Sequence, residues 1–308
     1  MTGASGFVGR ILCAYLKERG WDVVGSGDLH QDGLIHCDVT DPGQVRALIA
    51  TAGKCTHVFH LAALTFVPQA NERPGDAINA NLMGTIHLTE ALRTHGAQAR
   101  LIYIGSADAY GPPQSLPIDE NHPLNPQNPY AISKAAADHY CAFLSKSSGL
   151  EIIRMRPFNH SGPGQSDHFV LSSFARQIAA IECGQAPPVL RVGNLEAARD
   201  FLHVQDVVRA YELAALKGHP GEAYNVCSGK AHRIQDVLDA MLEMATVKIE
   251  VEPDPARLRP VDVPRVEGAY LKLESHTGWL PNITFDTLLR DLLIDWRARL
   301  AGASGEPE

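Results

Sequence analysis

The sequence predicts an α/β fold: a doubly wound parallel sheet of Rossmann type with a second, smaller α/β lobe. Three observations carry this. Short β-like runs alternate with helical patterns along the first half, the mark of parallel βαβ units. Gly3, Gly6 and Gly9 have the spacing of a phosphate-cradling turn that runs into a helix. From Pro157 the alternation breaks into loops, isolated helices and short strands.

The elements follow in order. Phe7, Val8, Ile11, Leu12, Tyr15 and Leu16 recur at helical spacing, and Gly20 ends that helix. Strands are expected at 21–24 and 34–37, a helix at 42–51 and a strand at 57–61. A long helix over 77–94 leads to a strand at 100–106. The segment 112–129 is a proline-rich loop, a helix starts at Pro129, and a strand over 150–156 closes this half. The expected division is a dinucleotide-binding domain at 1–156, to which 199–219 returns, and a substrate lobe at 157–308 with a frayed tail over 301–308.

Composition bounds the function. The chain has 308 residues, 45% of them hydrophobic and 20% charged, as in an ordinary globular protein large enough for two lobes. With 27 Lys plus Arg against 35 Asp plus Glu, the formal charge is −8, which argues against a nucleic-acid surface. No apolar run is long enough to span a membrane, and no signal-peptide core is present. The six cysteines are scattered without metal or redox spacing, so buried free thiols and a reducing cytoplasm are expected.

Four stretches can carry chemistry. In TGASGFVG, glycines allow close approach to a pyrophosphate, and the helix start offers free N–H groups; the spacing alone also fits a simple tight turn. Asp28 lies where a ribose-binding carboxylate belongs, and Asp38 can reach the adenine edge or simply form a turn. No Lys or Arg occurs between Arg19 and Arg46 to meet a 2′-phosphate, which leaves Arg10 and His30 as substitutes. Asp28 would repel that phosphate. The cofactor is therefore NADH or NADPH, with the balance toward NADH or dual use. In NPYAISK, Asn128 can cap a helix that places Tyr130 and Lys134 on one face. A neighbouring ammonium favours the phenolate, which would make Tyr130 a general acid/base, with Lys134 free to hold a ribose hydroxyl. Any amphipathic helix can also carry that pair. In IGSADAYG, Ser106 stands at a strand end, where doubly wound folds bind ligands and where turn formers are also common.

Taken together, TGASGFVG, HLAA at 60–63, Ser106 with Tyr110-Gly111, and Tyr130-x-x-x-Lys134 resemble the extended short-chain dehydrogenase/reductase family of nucleotide-sugar enzymes along essentially the whole chain. The resemblance implies Ser106, Tyr130 and Lys134 as catalytic residues. It implies Gly3, Gly6, Phe7, Val8, Gly9, Asp28, Asp38, Val39, Leu61, Ala62, Ala63, Tyr130 and Lys134 as the cofactor site. On the substrate side it implies Ser106, Asn159, Arg199, Arg259 and Asp262. It also implies a hydrophobic first strand ahead of the glycine turn. That strand is missing here, so the expectation is that Met1 is a misplaced internal start.

The runs RPFNHSGPGQ, RDFLHVQDV, YNVCSG, DPARLRP and TGWLPNIT look most like GDP-6-deoxy-4-keto-D-mannose reductases, whose usual product is GDP-D-rhamnose. Relatives that dehydrate GDP-mannose carry a glutamate two residues after the catalytic Thr; here Asp108 is one methylene shorter, which favours simple carbonyl reduction. A GDP-mannose 4,6-dehydratase, a sugar 4-epimerase and a non-catalytic dinucleotide sensor are the rival readings. A homodimer through the helices at 77–94 and 129–145 is implied, with no metal, nucleic-acid or membrane partner.

Overall fold

The computed structural model describes residues 1–95, 99–257 and 263–303. The glycine turn feeds α1 (Phe7–Glu18), which buries Gly9, Leu12 and Leu16. After it come β1 (Ser26–Gly27), β2 (Ile35–His36), α2 (Pro42–Ala52) and β3 (His57–His60). Asp41 starts α2 by accepting from the Gly43 and Gln44 N–H groups. The long helix expected from residue 77 begins at Pro74 and is interrupted. Helices α3 (Val67–Glu72) and α4 (Pro74–Ile78) lead through a π turn at Asn79–Met83 into α5 (Gly84–Thr94). The half closes with β4 (Arg100–Ile104), a 3-10 turn at Ala107–Tyr110, α6 (Pro129–Ser147) and β5 (Ile152–Pro157).

The remainder runs β6 (Asn159–Ser161), α7 (Val170–Glu182), β7 (Val189–Val192), β8 (Ala198–His203) and α8 (Val204–Lys217). Then follow β9 (Ala223–Val226), β10 (Ala231–Arg233), α9 (Ile234–Glu243), β11 (Glu250–Pro253), β12 (Arg265–Val266), α10 (Leu271–Thr277) and α11 (Phe285–Ala303). Strands β3, β4, β5 and β9 are parallel neighbours in that order, and β1 pairs with β2 in parallel. Apart from this sheet, β8 pairs with β6, β10 and β12, and β7 with β11. Helix α8 packs on α1, β4 and β5. A core around Ile102, Met155, Tyr211 and Tyr224 lies under this layer. A separate core joins α7, α9 and α11 through Phe174, Leu238 and Leu292.

The strand expected at 21–24 is not formed; the ladder begins at Ser26. Between β1 and β3, Thr2 bridges Ser26 on one side and His60 on the other. Ahead of β1, the Val24 carbonyl takes its hydrogen bond from the Met1 ammonium at 2.7 Å. Trp21 turns inward, edge-on against His57 and Phe59, and its indole N–H donates to Glu212 at 3.0 Å. The Trp21 N–H donates instead to the Leu16 carbonyl at 3.0 Å, which keeps this residue with the end of α1 and out of a ladder. Of the cysteines, Cys37, Cys141 and Cys227 are buried, Cys13 and Cys55 partly so, and Cys183 is exposed, contrary to the expectation of burial; all six are free.

Candidate active site

The glycine turn is packed backbone to backbone. Gly3 has φ of +69°, and a Cβ there would lie 2.6 Å from the Ala62 nitrogen. A Cβ on Gly9 would overlap the Gly3 carbonyl oxygen. Only glycine fits at either point. Gly6 caps α1 without a side chain, so the N–H groups of Phe7, Val8 and Gly9 open the helix free of intrahelical partners. Leu61, Ala62 and Ala63 continue from β3 alongside; the Leu61 N–H donates to the Thr2 carbonyl at 3.2 Å. Buried His60 steadies this contact between the Thr2 and Thr85 hydroxyls, at 2.7 and 3.1 Å. Burial pushes its pKa down to about 3, so the ring stays neutral. The cradle fits a dinucleotide pyrophosphate.

At the adenosine end, Asp28 is exposed just beyond β1. Asp38 accepts from the Thr40 N–H and hydroxyl at 2.9 and 2.8 Å, the turn arrangement anticipated as its other role. Val39 is buried against Gly84.

The carboxyl end of β4 brings three predicted residues together. Ser106 follows β4 and caps the 3-10 turn by accepting from the Asp108 N–H at 3.1 Å. Asn128 accepts from the Ala131 N–H at 2.9 Å and Pro129 opens α6, so Tyr130 and Lys134 fall on one buried face. Burial pushes the Tyr130 phenol well above its usual range; the charge of Asp108 adds to this, and a hydrogen bond with Ser106 opposes it. Lys134 donates from Nζ to the Ile104 carbonyl at 2.8 Å, and burial lowers its pKa to about 8. The ammonium is thus bonded to the end of β4, and at the phenol burial and Asp108 outweigh what favours the phenolate. What the site holds is a neutral phenol with a hydroxyl beside it and, one helical turn on, a buried cation over the Tyr103 ring. That set can hand a proton to an oxygen that gains negative charge.

Two supporting residues, Asp138 and Asn81, carried no signal strong enough to single out. Asp138, one turn after Lys134, is 2% exposed and bonds Arg154 at 2.6 Å and Arg156 at 2.9 Å, clamping α6 to β5. Burial raises its pKa, but Arg156 and Arg154 outweigh that and leave the carboxyl lowered. Asn81, in the π turn, receives the Leu64 N–H at 2.8 Å and donates to the Leu64 carbonyl at 3.0 Å and to Ser133 Oγ at 2.8 Å. It ties the loop after β3 to the Tyr130 helix. A polar residue among apolar positions of one helical stretch was the available clue. Tyr110 donates to Asn225 at 2.7 Å and accepts from Arg156 at 2.9 Å, which fixes the turn carrying Ser106.

On the substrate side, Asn159 is exposed at the start of β6. Arg199, on β8, donates to the Ala198 and Val263 carbonyls at 2.9 and 2.7 Å. Its neighbour Asp200 is buried and accepts from Ser228, Gly229 and Gly268; burial raises it to about 6 against those donors. Arg259 and Asp262 lie outside the described residues.

Residues 1–292 match the family model described as GDP-mannose 4,6 dehydratase. The chain is 39% identical over 304 residues to a GDP-6-deoxy-D-mannose reductase of Pseudomonas aeruginosa, covering 97% of each sequence. It is 28% identical to GDP-mannose 4,6 dehydratase 1 of Arabidopsis thaliana, covering 98% of this chain and 90% of that one. Among solved structures, RMD from Pseudomonas aeruginosa complexed with NADPH superposes with a TM-score of 0.86 at 38% identity, covering 96% of this chain and 97% of that one. A Thermus thermophilus UDP-glucose 4-epimerase complexed with NAD gives a TM-score of 0.85 at 32% identity over the same shares.

Proposed function

The chain belongs to the GDP-mannose 4,6 dehydratase family of extended short-chain dehydrogenase/reductases, and we propose that it reduces the 4-keto group of GDP-4-keto-6-deoxy-D-mannose with NAD(P)H, giving GDP-D-rhamnose. The observation that carries this is the pairing of a reductase-like sequence along nearly the whole chain with a phenol held protonated beside Ser106.

A dihydronicotinamide held on the glycine turn would supply the hydride that C4 of the sugar receives. The chain's own residues do the rest. Tyr130 gives its proton to O4 as that oxygen becomes an alkoxide; a phenol raised by burial reaches this step in the protonated form that reduction needs. Ser106 donates to the same oxygen. Lys134 holds positive charge one helical turn after the phenol, which offsets the phenolate left after transfer. The glycine turn and the first turn of α1 hold the pyrophosphate of the cofactor. Asn159 and Arg199, with Arg259 and Asp262, hold the GDP portion and orient the ketone.

Asp108 supports the choice of reduction over dehydration. A dehydratase needs a further acid/base to take the C5 proton and release the C6 hydroxyl, and a displacement of about 1 Å costs on the order of a hundredfold in rate. Its carboxylate is one methylene short of the glutamate that the resemblance associates with that task.

The assembly proposed is a homodimer through the outer faces of α5 and α6. Ile132 and Phe143, 47% and 61% exposed, lie on one face of α6, where a second copy would cover them. Six unpaired cysteines support a reducing, cytoplasmic setting. No helix among the described residues is long and apolar enough to cross a membrane.

The test has two incubations. With the 4-keto sugar nucleotide and NADPH or NADH, GDP-D-rhamnose should form as reduced cofactor is consumed. With GDP-mannose and oxidised cofactor, little ketone should appear. Rapid dehydration in the second tube and no reduction in the first would overturn the assignment.

A further inference from the structure

We propose that Asp295 of the last helix, α11, backed by Arg299, is a positioning residue for the reduction. It holds the backbone of the 162–168 loop and, through that loop, the sugar-nucleotide side of the site. The inference deepens the reductase reading and rests on it.

The loop leaves β6, whose first residue is Asn159, and leads to α7. Gly164 lies at φ of +86°, and its N–H donates out of the loop to Asp295 Oδ2 at 2.9 Å. One residue on, the Gln165 carbonyl accepts from Arg299 Nη1 and from the Ser172 hydroxyl, both at 3.1 Å. Arg299 also pairs with Asp295 at 3.3 Å and lies over the Trp296 ring, 3.7 Å from its centroid. The Trp296 indole N–H donates to Ser172 at 2.8 Å. One helix thus takes a donor and an acceptor from the same short stretch of loop. The Gln165 side chain carries the anchor back to β6. It is buried, accepts from the Ser161 hydroxyl and donates to the His160 carbonyl at 3.0 Å.

Fastening the helix does not require this set. Leu288, Leu289, Leu292 and Leu293 already bury α11 in the core it shares with α7 and α9. What the Asp295 carboxylate immobilises is loop backbone, by a charge-assisted hydrogen bond of the stronger kind.

Both ends of the loop bear on the site. Upstream stands Asn159, two residues before Ser161. Downstream, His168 lies against Phe66 of the segment after β3, ring centroids 4.9 Å apart. Phe66 stands between Leu64 and Val67, which pack with Tyr130 in one apolar cluster. A loop released at Gly164 would therefore loosen the substrate strand at one end and the wall beside the phenol at the other.

The test compares Asp295→Ala, Asp295→Asn and Arg299→Ala by steady-state reduction of the 4-keto sugar nucleotide, calorimetry with GDP, hydrogen exchange and urea denaturation. Asp295→Ala should raise KM for the sugar nucleotide at least about fivefold while kcat changes less than about twofold, the pattern of lost binding with intact chemistry. GDP affinity should fall alongside, and amide exchange over 162–168 should quicken while the urea midpoint holds. Asp295→Asn keeps an oxygen for the Gly164 N–H and should recover most of the loss. Arg299→Ala should act in the same direction, and combining it with Asp295→Ala should cost less than the two effects added. Unchanged KM and exchange in Asp295→Ala would overturn the inference. So would a KM rise that follows a lowered urea midpoint and that Asp295→Asn does not relieve. A parent protein that binds GDP but reduces no 4-keto sugar would instead overturn the reductase reading, with GDP affinity and exchange still reporting on Asp295.

Discussion

Lys134 and Ile104 are joined by a 2.8 Å hydrogen bond from the buried ammonium to the backbone carbonyl at the end of β4. The cation is therefore fixed to the sheet, one helical turn after the phenol. Burial lowers its pKa from 10.5 to about 8. The sign follows directly: the ammonium is full below about 8 and is lost as pH rises through it. Turnover should therefore decline above pH 8 as support for the nascent phenolate disappears. A pH series of kcat checks this, and Lys134→Met should abolish the alkaline limb together with most of the rate.

Gly3→Ala should damage cofactor binding. The backbone there has φ of +69°, and a methyl group would meet the Ala62 nitrogen at 2.6 Å. Either the turn or the segment after β3 must move. NADPH titration should show at least about tenfold weaker binding, equivalent to about 1.4 kcal/mol.

Asp138→Ala should be among the most destabilising single changes. It would leave Arg156 buried, and Arg154 nearly so, without a counter-charge on the strand that supports the site. Removing one partner of a buried pair costs about 3–5 kcal/mol. Urea denaturation reads the loss.

Phe143→Asp should prevent self-association while leaving the monomer folded. Phe143 is 61% exposed on α6 and carries no structural duty in the core. Analytical ultracentrifugation should show a monomer, with circular dichroism unchanged.

Much of this molecule is legible in its sequence wherever the signal is local. The glycine spacing, the Asn128-Pro129 helix start and the four-residue step from Tyr130 to Lys134 each follow from short-range geometry. Pairing information is not local. Nothing within residues 21–24 reports what stands beside them, so a strand was expected where Trp21 instead folds against Phe59. The same holds for charge. Spacing places Lys134 near Tyr130, but the carbonyl of Ile104 that captures it comes from a strand thirty residues earlier in the chain. Asp138 and Asn81 were missed because their partners, Arg156 and Leu64, are likewise distant in sequence.

The most direct test is single-turnover reduction of GDP-4-keto-6-deoxy-D-mannose by the Tyr130→Phe protein, with sugar-nucleotide affinity measured beside it. Proton donation by this phenol predicts a rate lower by about 10²–10⁴-fold at unchanged affinity. A variant that reduces the ketone as fast as the parent would contradict it.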